Sequence, residues 1–335
     1  MQSGSGEKSR PEMSESLCSN DGVLRHPCFH PGARSRYGRV HLPVAPTCNI
    51  QCSYCNRAYD CTNESRPGVT SRTLEPEEAA AYLDEVLYRM PFISVAGIAG
   101  PGDCFADPGR TLATLEIIRR SHPNLHLCFS TNGLNVAEHM DALAELNVRF
   151  ATVTINAVDP RVGAMIYTRV AGGDVALQGL DAAAFLMERQ MDAVARLKAR
   201  GLIVKVNTVV IPGVNDIHSA AVAERIVRLK ADLHNLIALI PVPGTPFQGT
   251  APPSPERMTL LRRAAEAFIP QMRHCVRCRS DAVGLLHDDR SCMGAHPALE
   301  PQAAGTSAGS GTCSVDLRVV GGNGSLRDVH RLSMP

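Results

Sequence analysis

The chain has 335 residues, 44% of them hydrophobic, and its 34 Lys and Arg residues nearly balance 33 Asp and Glu residues. This length can bury one α/β core, and the balanced charge gives no basic surface for nucleic acid or an anionic membrane. The N-terminal segment lacks the apolar core of a secretory signal, and no apolar run approaches the roughly 18 residues of a membrane span. We therefore expect a cytoplasmic globular protein, and in that reducing compartment its 12 cysteines indicate metal binding or catalysis.

Composition divides the chain into a core and two extensions. Residues 1–22 are rich in Ser, Gly and charge, and residues 291–335 contain the low-complexity runs AAGTSAGSGT and GGNGS. Such segments cannot bury enough apolar surface to fix a fold, so we expect flexible extensions around a core at 23–290. In that core, apolar and β-branched runs predict strands at 39–44, 93–97, 125–130, 150–155, 202–210 and 235–240.

Helical patterns lie between the predicted strands. One helix begins at Pro76, with Glu77 and Glu78 in its first turn and with Leu83 and Val86 on its apolar face. Further helices are predicted at 111–121, 136–146, 181–200, 217–231 and 255–268. This repeated alternation of strand and helix predicts a parallel α/β sheet, either open or curled into a partial barrel. In both forms, ligands gather at the carboxyl ends of the strands, where the connecting loops converge.

Three cysteines, Cys48, Cys52 and Cys55, follow the first predicted strand in the stretch CNIQCSYCN. Thiolates select iron-sulfur clusters or zinc, and this spacing allows one loop to hold three corners of a cubane and leave its fourth iron open. The alternative is a structural zinc site in which Cys52 and Cys55 join Cys275 and Cys278. That arrangement leaves Cys48 without a role.

The triplet, with an aromatic residue before its last cysteine, resembles the Cys-x3-Cys-x2-Cys signature of the radical S-adenosylmethionine (SAM) superfamily. The resemblance implies a partial (βα)6 TIM-like barrel of the radical SAM type. It also implies a [4Fe-4S] cluster whose open iron binds SAM and whose electron cleaves SAM to a 5'-deoxyadenosyl radical.

Residues near the ends of the predicted strands would complete the cofactor site in this family. The glycines lie in GIAGPGD (97–103), as in the family segment that contacts the methionine amino group. The cofactor-binding residues that the resemblance implies are Tyr54, Gly100, Gly102, Thr131, Asn132, Thr154, Asn156, Asn207 and Ile211. The alternative for the glycines is a tight turn, and the alternative for each asparagine is a turn residue whose hydrogen bonds are satisfied locally.

A narrower resemblance, to the NifB family of radical SAM enzymes, covers about residues 22–290. It rests on HPCF, HLPVAPTCNIQCSYCNRAYDCTNESRPGV, STNG, VKVNTVVIPGVND and RHCVRCRSDAVGLL. This family joins two [4Fe-4S] clusters, K1 and K2, into an eight-iron precursor of the nitrogenase iron-molybdenum cofactor, with a central carbide from a SAM methyl group. The implied partners are iron-sulfur donor proteins, cofactor carrier and scaffold proteins of nitrogenase assembly, and an electron donor.

The NifB resemblance also gives roles to cysteines outside the triplet. The implied ligands of K1 are Cys28, His41, Cys61 and Cys128, and those of K2 are Cys275 and Cys278, completed by Cys18. Fewer ligands, including an imidazole, suit a cluster that must be released as substrate. For His41 the alternative is a partly buried strand histidine with an ordinary hydrogen bond.

Candidate catalytic residues are Glu64 and Arg66, in the NESRPG segment, and Cys128. Glu64 and Arg66 would relay protons or steady the carbon intermediate, and the alternative is an exposed ion pair that contributes little. Cys104 stands where the family usually has proline, and we expect a buried structural thiol there. Cys292 and Cys313, in the C-terminal extension, match no motif.

Two other functions stay open. One is a radical SAM enzyme with auxiliary clusters that acts on a peptide or another substrate. The other is an iron-sulfur or zinc carrier that stores metal without catalysis. The combination of HPCF, Cys61 and RHCVRC favours a NifB-type enzyme over the first of these. The carrier is tested by incubating the reconstituted protein with dithionite and SAM, since absence of both 5'-deoxyadenosine and S-adenosylhomocysteine would exclude an enzyme.

Overall fold

The computed structural model describes residues 21–172 and 175–290. Its elements, in chain order, are α1 (Asp21–Leu24), β1 (Gly38–Pro43), β2 (Ile50–Cys52), α2 (Pro76–Arg89), β3 (Ile93–Ala99), α3 (Pro108–Ser121), β4 (His126–Thr131), a 3₁₀ helix (Val136–His139), α4 (Met140–Glu145), β5 (Phe150–Thr154), α5 (Pro160–Ile166), β6 (Tyr167–Gly172), β7 (Val175–Leu177), α6 (Gly179–Ala199), β8 (Ile203–Val210), α7 (Ser219–Arg228), β9 (Leu233–Ala238), α8 (Pro255–Glu266), β10 (Val283–Leu285) and β11 (Asp288–Asp289). Cys18, Cys292, Cys313 and nearly all of the predicted extensions lie outside the described residues.

All of the strands predicted from the sequence are present, and they run parallel in the order β1-β3-β4-β5-β8-β9. Each follows its neighbour along the chain through at least one helix, as right-handed βαβ units require. Within residues 21–172 and 175–290 this sheet ends at β9 on one side and does not pair back to its other edge, so it is open and does not close into a barrel. The prediction of a partial barrel with mixed α/β architecture is confirmed.

Two features of the fold were not predicted. The antiparallel hairpin of β10 and β11 extends the main sheet beyond β1, where Val283 pairs with Val40. A second sheet has the order β2-β6-β7, and Ile50 of β2 pairs with Val170 of β6. All of these strands except β6 have only two or three residues, too few to give an alternating pattern. Their pairing also depends on partners distant in the sequence.

The helix ends follow the sequence signals. Helix α2 begins at Pro76 behind a capping box in which the side chains of Glu75 and Glu78 each accept a backbone N–H. Helix α6 ends just before Gly201, which takes a φ of 77° that favours glycine. The helix predicted at 136–146 is divided into a 3₁₀ turn and α4.

Alternate residues of the parallel strands face opposite sides of the sheet. On β1, Val40 and Leu42 belong to the main apolar core, which the strands share with the helices, whereas His41 faces a cavity on the other side. On β8, Val206 belongs to the same core and Lys205 faces the cavity. The period of two along each strand therefore places polar and sulfur-bearing side chains on the face of the sheet that is directed towards the cavity, which we call the inner face. In the described ranges, no helix is both long and apolar enough to cross a lipid bilayer.

Candidate functional site

The cysteine triplet lies on a loop that its own hydrogen bonds shape. The backbone N–H of Cys55 donates to the Cys52 carbonyl at 3.0 Å, and Gln51 Nε2 donates to the carbonyls of Cys52 and Cys55 at 3.0 and 2.7 Å. Cys52 is buried, and Cys48 and Cys55 are half-buried. The loop therefore holds three thiols around one turn, with two of them partly accessible.

Arg57 supplies positive charge to the triplet, and the sequence analysis missed it. Its guanidinium donates to the Cys55 thiol, and its charge opposes the effect of burial, which raises the pKa of both Cys55 and Cys48. Arg57 Nη1 also donates to the Pro101 carbonyl at 3.2 Å. A basic residue two positions after the last cysteine was the available signal. Because thiolates are the metal ligands, this charge favours the form that binds iron.

Gly100 and Gly102 are explained by contact with the chain that enters the triplet. A Cβ on Gly102 would lie 1.7 Å from the Thr47 carbonyl oxygen, and one on Gly100 would lie 2.3 Å from the Ala45 carbonyl oxygen. The backbone N–H of Gly102 donates to the Ala45 carbonyl at 2.8 Å. Only glycine permits this approach, so both residues hold the loop after β3 against the triplet loop.

Thr131 and Asn132, at the end of β4, bind the carboxylate of Asp103. Thr131 Oγ1 donates to it at 3.0 Å, and the backbone N–H of Asn132 donates at 2.5 Å. Asn132 Nδ2 donates to Asn49 Oδ1 at 2.7 Å and lies 3.7 Å from Cys48 Sγ. Asn132 is therefore beside the triplet, whereas Thr131 acts on Asp103, a residue that the sequence analysis passed over within GPGD.

A buried polar network connects the triplet to the ends of β5 and β8. Tyr54 donates its hydroxyl to Asn63 Oδ1 at 2.5 Å and accepts from Asn156 Nδ2 at 2.6 Å. Asn207 Nδ2 donates to the Asn63 carbonyl at 3.1 Å and Asn207 Oδ1 accepts from Asn235 at 3.1 Å. Asn156 therefore binds Tyr54, and Asn207 binds Asn63 and Asn235, so the side chains of these two predicted residues are engaged by other groups of the protein.

The two remaining cofactor candidates differ in what they can offer. Thr154 Oγ1 is buried and has no hydrogen-bond partner within the described residues, so it is a polar atom that a ligand could satisfy. Ile211 is fully buried, and its backbone N–H donates to Asn215 Oδ1 at 2.7 Å. Its side chain lies in an apolar cluster that also contains Cys52 and Tyr54, which places it near the triplet.

A second group of candidate ligands lines a cavity on the inner face of the sheet. Its empty volume is about 790 Å³, part of which opens to solvent. The predicted metal ligands on its wall are Cys28, His41, Cys128, Cys275 and Cys278. Cys61 is buried and does not line this wall, and burial, followed by the charges of Glu64 and Cys55, raises the pKa of its thiol. Cys61 therefore interacts with the triplet, through Cys55, and with the cavity wall, through Glu64.

His41 offers one ring nitrogen to the cavity. Its Nδ1 donates to the Arg279 carbonyl at 3.0 Å, because a carbonyl can only accept. Burial, with a smaller effect of the Arg39 charge, lowers the pKa of His41 to about 4, so the ring is neutral. A neutral ring with a protonated Nδ1 leaves the Nε2 lone pair available to a metal. The ordinary hydrogen bond expected as the alternative is present, and it orients the ring for ligation.

The cavity wall carries three cationic side chains. Arg39 Nη2 donates to Cys278 Sγ at 3.1 Å, and Arg277 donates to the carbonyls of Thr62 and Ala238 at 3.0 and 3.1 Å. The third is Lys205. These charges indicate an anionic occupant.

Glu64 and Arg66 separate in the structure. Glu64 lines the cavity, and burial raises the pKa of its carboxyl well above the ordinary value. Arg66 is exposed, and among the described residues no ion pair joins the two. The backbone N–H of Arg66 does donate to the Cys278 carbonyl at 2.7 Å. Glu64 is therefore the one of the two that can act inside the cavity.

The four cysteines of the zinc alternative do not converge. Cys275 and Cys278 line the cavity, whereas Cys52 and Cys55 pack with a separate apolar cluster. Within residues 21–172 and 175–290, no three His, Cys, Asp or Glu side chains are arranged to hold a single metal ion. A cubane distributes its protein ligands over separate irons, so its ligands lie farther apart. Cys104 is buried, as expected, and its thiol donates to the Ser130 carbonyl at 3.0 Å.

The radical SAM superfamily model matches residues 42–226, a segment that contains the triplet and five of the parallel strands in whole or in part. The chain belongs to this superfamily. Membership implies a [4Fe-4S] cluster and SAM, and the donor set fits both. Three thiols on one loop leave an iron open, and the unpartnered Thr154 hydroxyl is available to a ligand.

The curated relatives are proteins described as "FeMo cofactor biosynthesis protein NifB". The chain is 45% identical to that of Chlorobaculum tepidum over 80% of its own length and 63% of the relative, and 47% identical to that of Herbaspirillum seropedicae over 80% and 52%. For Klebsiella pneumoniae the identity is 45%, over 81% and 59%. The chain therefore spans between about half and three-fifths of the length of these relatives.

Among solved structures, native anSMEcpe with bound AdoMet and the Cp18Cys peptide superimposes with a TM-score of 0.50. The match covers 70% of this chain and 63% of that chain at 13% identity. A likeness at that identity supports the fold and carries no inference about the substrate.

Proposed function

We propose that this chain is a radical SAM enzyme of FeMo cofactor biosynthesis whose substrates are two [4Fe-4S] clusters. It would join them into an eight-iron cluster and insert a carbide that derives from a SAM methyl group. The observation that carries the proposal is the cavity wall with Cys28, His41, Cys128, Cys275 and Cys278. A radical SAM enzyme needs only its triplet to cleave SAM, so this additional ligand set calls for a further iron-sulfur occupant. Similarity to the NifB relatives supports the same conclusion.

In this proposal the triplet holds the SAM-binding cluster, which supplies the electron that cleaves SAM. Asn132, beside Cys48, and the Thr154 hydroxyl would bind the polar groups of SAM. Arg57 would balance the negative charge of the thiolates. Gly100 and Gly102 would position the loop after β3, and the space beside them would be taken by the chain that enters the triplet and not by SAM.

The cavity would hold the substrate clusters. Cys28, His41 and Cys128 would bind K1, with Cys61 as a ligand from the triplet side, and Cys275 and Cys278 would bind K2. One SAM would transfer its methyl group to a K2 sulfide and leave as S-adenosylhomocysteine. The 5'-deoxyadenosyl radical from a second SAM would abstract hydrogen from that methyl group. Glu64, whose carboxyl has a pKa raised by burial, would exchange protons there.

The proposed partners follow from this chemistry. Iron-sulfur donor proteins would supply K1 and K2, and a reductant protein would supply the electron. Carrier and scaffold proteins of nitrogenase assembly would receive the product, because an eight-iron cluster requires thiolate ligands whenever it leaves the cavity.

Iron content and product analysis test the proposal. The reconstituted chain should hold about twelve irons, and the variant Cys48→Ala/Cys52→Ala/Cys55→Ala should keep about eight and lose SAM cleavage. With SAM carrying a ¹⁴C methyl group, the label should enter the acid-labile cluster fraction, and both 5'-deoxyadenosine and S-adenosylhomocysteine should form.

The control is Cys104→Ala, which removes a buried thiol that does not line the cavity and should retain iron and activity. A content of about four irons would leave the cavity without a cluster and contradict the proposal. Label found on a peptide, with none in the cluster fraction, would instead support the alternative of a peptide-modifying enzyme.

A further inference from the structure

Lys205 is a buried lysine that makes no ion pair within the part of the chain that the structure describes. It lies on β8, is only 7% exposed and lines the cavity. In the part of the chain that the structure describes, its ammonium has no hydrogen-bond acceptor and no ion-pair partner. Its Nζ lies 5.3 Å from the centroid of the Phe29 ring. Burying an ammonium without a partner destabilises a fold, so this position requires another explanation.

The surroundings of Lys205 identify where its charge acts. Lys205 lines the cavity together with Cys28 and Cys128, and both cysteines pack against the apolar cluster that contains Phe29. The other basic side chains on the cavity wall are Arg39, Arg277, His26 and His41. Glu64 also lines the cavity, where burial raises the pKa of its carboxyl and the charge of Lys205 opposes that effect, but among the described residues no ion pair joins the two.

His26 adds an independent observation of the same kind. Its Nδ1 accepts the backbone N–H of Cys28 at 3.2 Å, so in the neutral ring the proton is on Nε2. That Nε2–H is buried and has no acceptor among the described residues. Two donors on the cavity wall, the Lys205 ammonium and His26 Nε2–H, therefore lack acceptors among the described residues.

We infer that Lys205 is a positioning residue that donates a hydrogen bond to a sulfide or thiolate of an iron-sulfur cluster bound by Cys28, His41 and Cys128. The inference rests on the proposed function and assigns a residue to it. Each thiolate adds negative charge to the cluster and one-electron reduction adds more, so a fixed ammonium favours cluster binding and the reduced state. The cluster in turn supplies the counterion that Lys205 lacks.

This role predicts that replacing Lys205 stabilises the metal-free chain but weakens the binding of a cluster. Replacing Lys205 by leucine removes a buried unpaired charge, so the metal-free chain should melt at a higher temperature. The same change should weaken cluster binding and lower the reduction potential. If Lys205 only packed against the cavity wall, replacing it would change stability and cluster retention in the same direction.

The test uses the full chain with Cys48→Ala/Cys52→Ala/Cys55→Ala, in which the cavity clusters are observed without the SAM-binding cluster. Lys205→Leu, Lys205→Gln and Lys205→Arg are compared after anaerobic reconstitution. Leucine and glutamine were chosen because neither introduces a sulfur ligand. The measurements are iron per chain, the rate of iron loss to a chelator, and the midpoint potential from an electron paramagnetic resonance titration.

We expect Lys205→Leu and Lys205→Gln to lose iron about tenfold faster than the parent. Their ratio of reduced to oxidised cluster at a fixed ambient potential should fall about tenfold, which is a shift of about 59 mV to lower potential. Lys205→Arg should remain within about twofold of the parent, because it keeps the charge. Arg225→Met, which removes an exposed charge on α7, is the control and should change neither quantity.

The outcomes separate the inference from the proposed function. If the triplet-free parent binds no iron, the proposed function fails, and the inference fails with it. If the parent binds iron and Lys205→Leu and Lys205→Gln match it in iron loss and potential, the inference alone is overturned.

Discussion

The guanidinium of Arg39 donates a hydrogen bond to the thiol sulfur of Cys278, with 3.1 Å between Nη2 and Sγ. Arg39 lies on β1 and is 1% exposed. Its Nη1 also donates to the carbonyls of Gly284 and Leu285 on β10, at 2.8 and 3.0 Å. One buried side chain therefore attaches the C-terminal hairpin to the sheet and orients a candidate cluster ligand.

Replacing Arg39 by methionine should reduce both stability and cluster retention. The change leaves two buried carbonyls and Asp289, 3.5 Å away, without their cationic partner, at a cost of about 3 kcal/mol or more. Arg39→Lys should lose less, since it keeps the charge but cannot donate in three directions from one planar group. Urea denaturation and iron content measure the two effects.

The matched control for Arg39 is Arg290→Met, because Arg290 pairs with Asp288 on the exposed side of the same hairpin. Exposed pairs contribute only about 0–1 kcal/mol. Equal losses in Arg39→Met and Arg290→Met would show that the buried contact with Cys278 has no special importance.

Gly102→Ala should destabilise the loop that carries the triplet. The new Cβ would lie 1.7 Å from the Thr47 carbonyl oxygen, which is backbone and cannot rotate away. Forced repacking of this kind costs about 1–3 kcal/mol, and the displaced loop should bind less iron at the triplet. Gly109→Ala is the control, since its Cβ would come no nearer than 3.7 Å to Asp107 Oδ1. If both variants bind iron and unfold alike, the backbone contact does not position the triplet.

Glu64→Gln should separate binding from catalysis. Glutamine matches the shape of a protonated glutamic acid, and Glu64 lines the cavity with a carboxyl whose pKa is raised by burial. Iron content and S-adenosylhomocysteine formation should therefore be unchanged. The yield of the coupled cluster should fall by about 10²–10⁴-fold, the usual contribution of a positioned proton donor or acceptor. An unchanged yield of coupled cluster would leave Glu64 without a catalytic role.

Stability should fall with acid because His234 is held neutral in the folded chain. His234 is fully buried between Thr208 and Gln271, and burial lowers its pKa to about 3. The unfolded imidazole, with a pKa of about 6.5, binds a proton that the folded one does not. Between about pH 6.5 and pH 3, the free energy of unfolding should therefore decrease by up to about 1.4 kcal/mol per pH unit for this group, and above pH 6.5 its contribution is constant.

His234→Gln tests this slope by urea denaturation at pH 5.0, 6.0 and 7.5. The variant should be less stable at pH 7.5, where it loses the hydrogen bonds of the ring, but its stability should depend less on pH. Exposed His287→Gln is the control and should keep the slope of the parent. An identical slope in His234→Gln would mean that other groups account for the acid sensitivity.

The parallel strands and most helices could be predicted because their signals are local. For example, β8 occupies Ile203–Val210 against a predicted 202–210, and α2 begins at the predicted Pro76. Buried parallel strands give continuous apolar runs, and proline and glycine mark helix ends. The hairpin of β10 and β11 gave no such signal, since two or three residues show no period and pair only through a distant partner.

The sequence by itself determined the chemistry of this protein: thiols in a triplet, further cysteines and histidines, and the superfamily to which the chain belongs. Residue type and close spacing carry that information. The tertiary structure alone decided that Cys28, Cys128 and Cys275 meet on one wall, that Asn207 binds Asn63 and Asn235, and that Lys205 is buried with no ion pair among the described residues. Those facts depend on which face of each strand is directed towards the cavity. Packing between residues far apart in the sequence decides this.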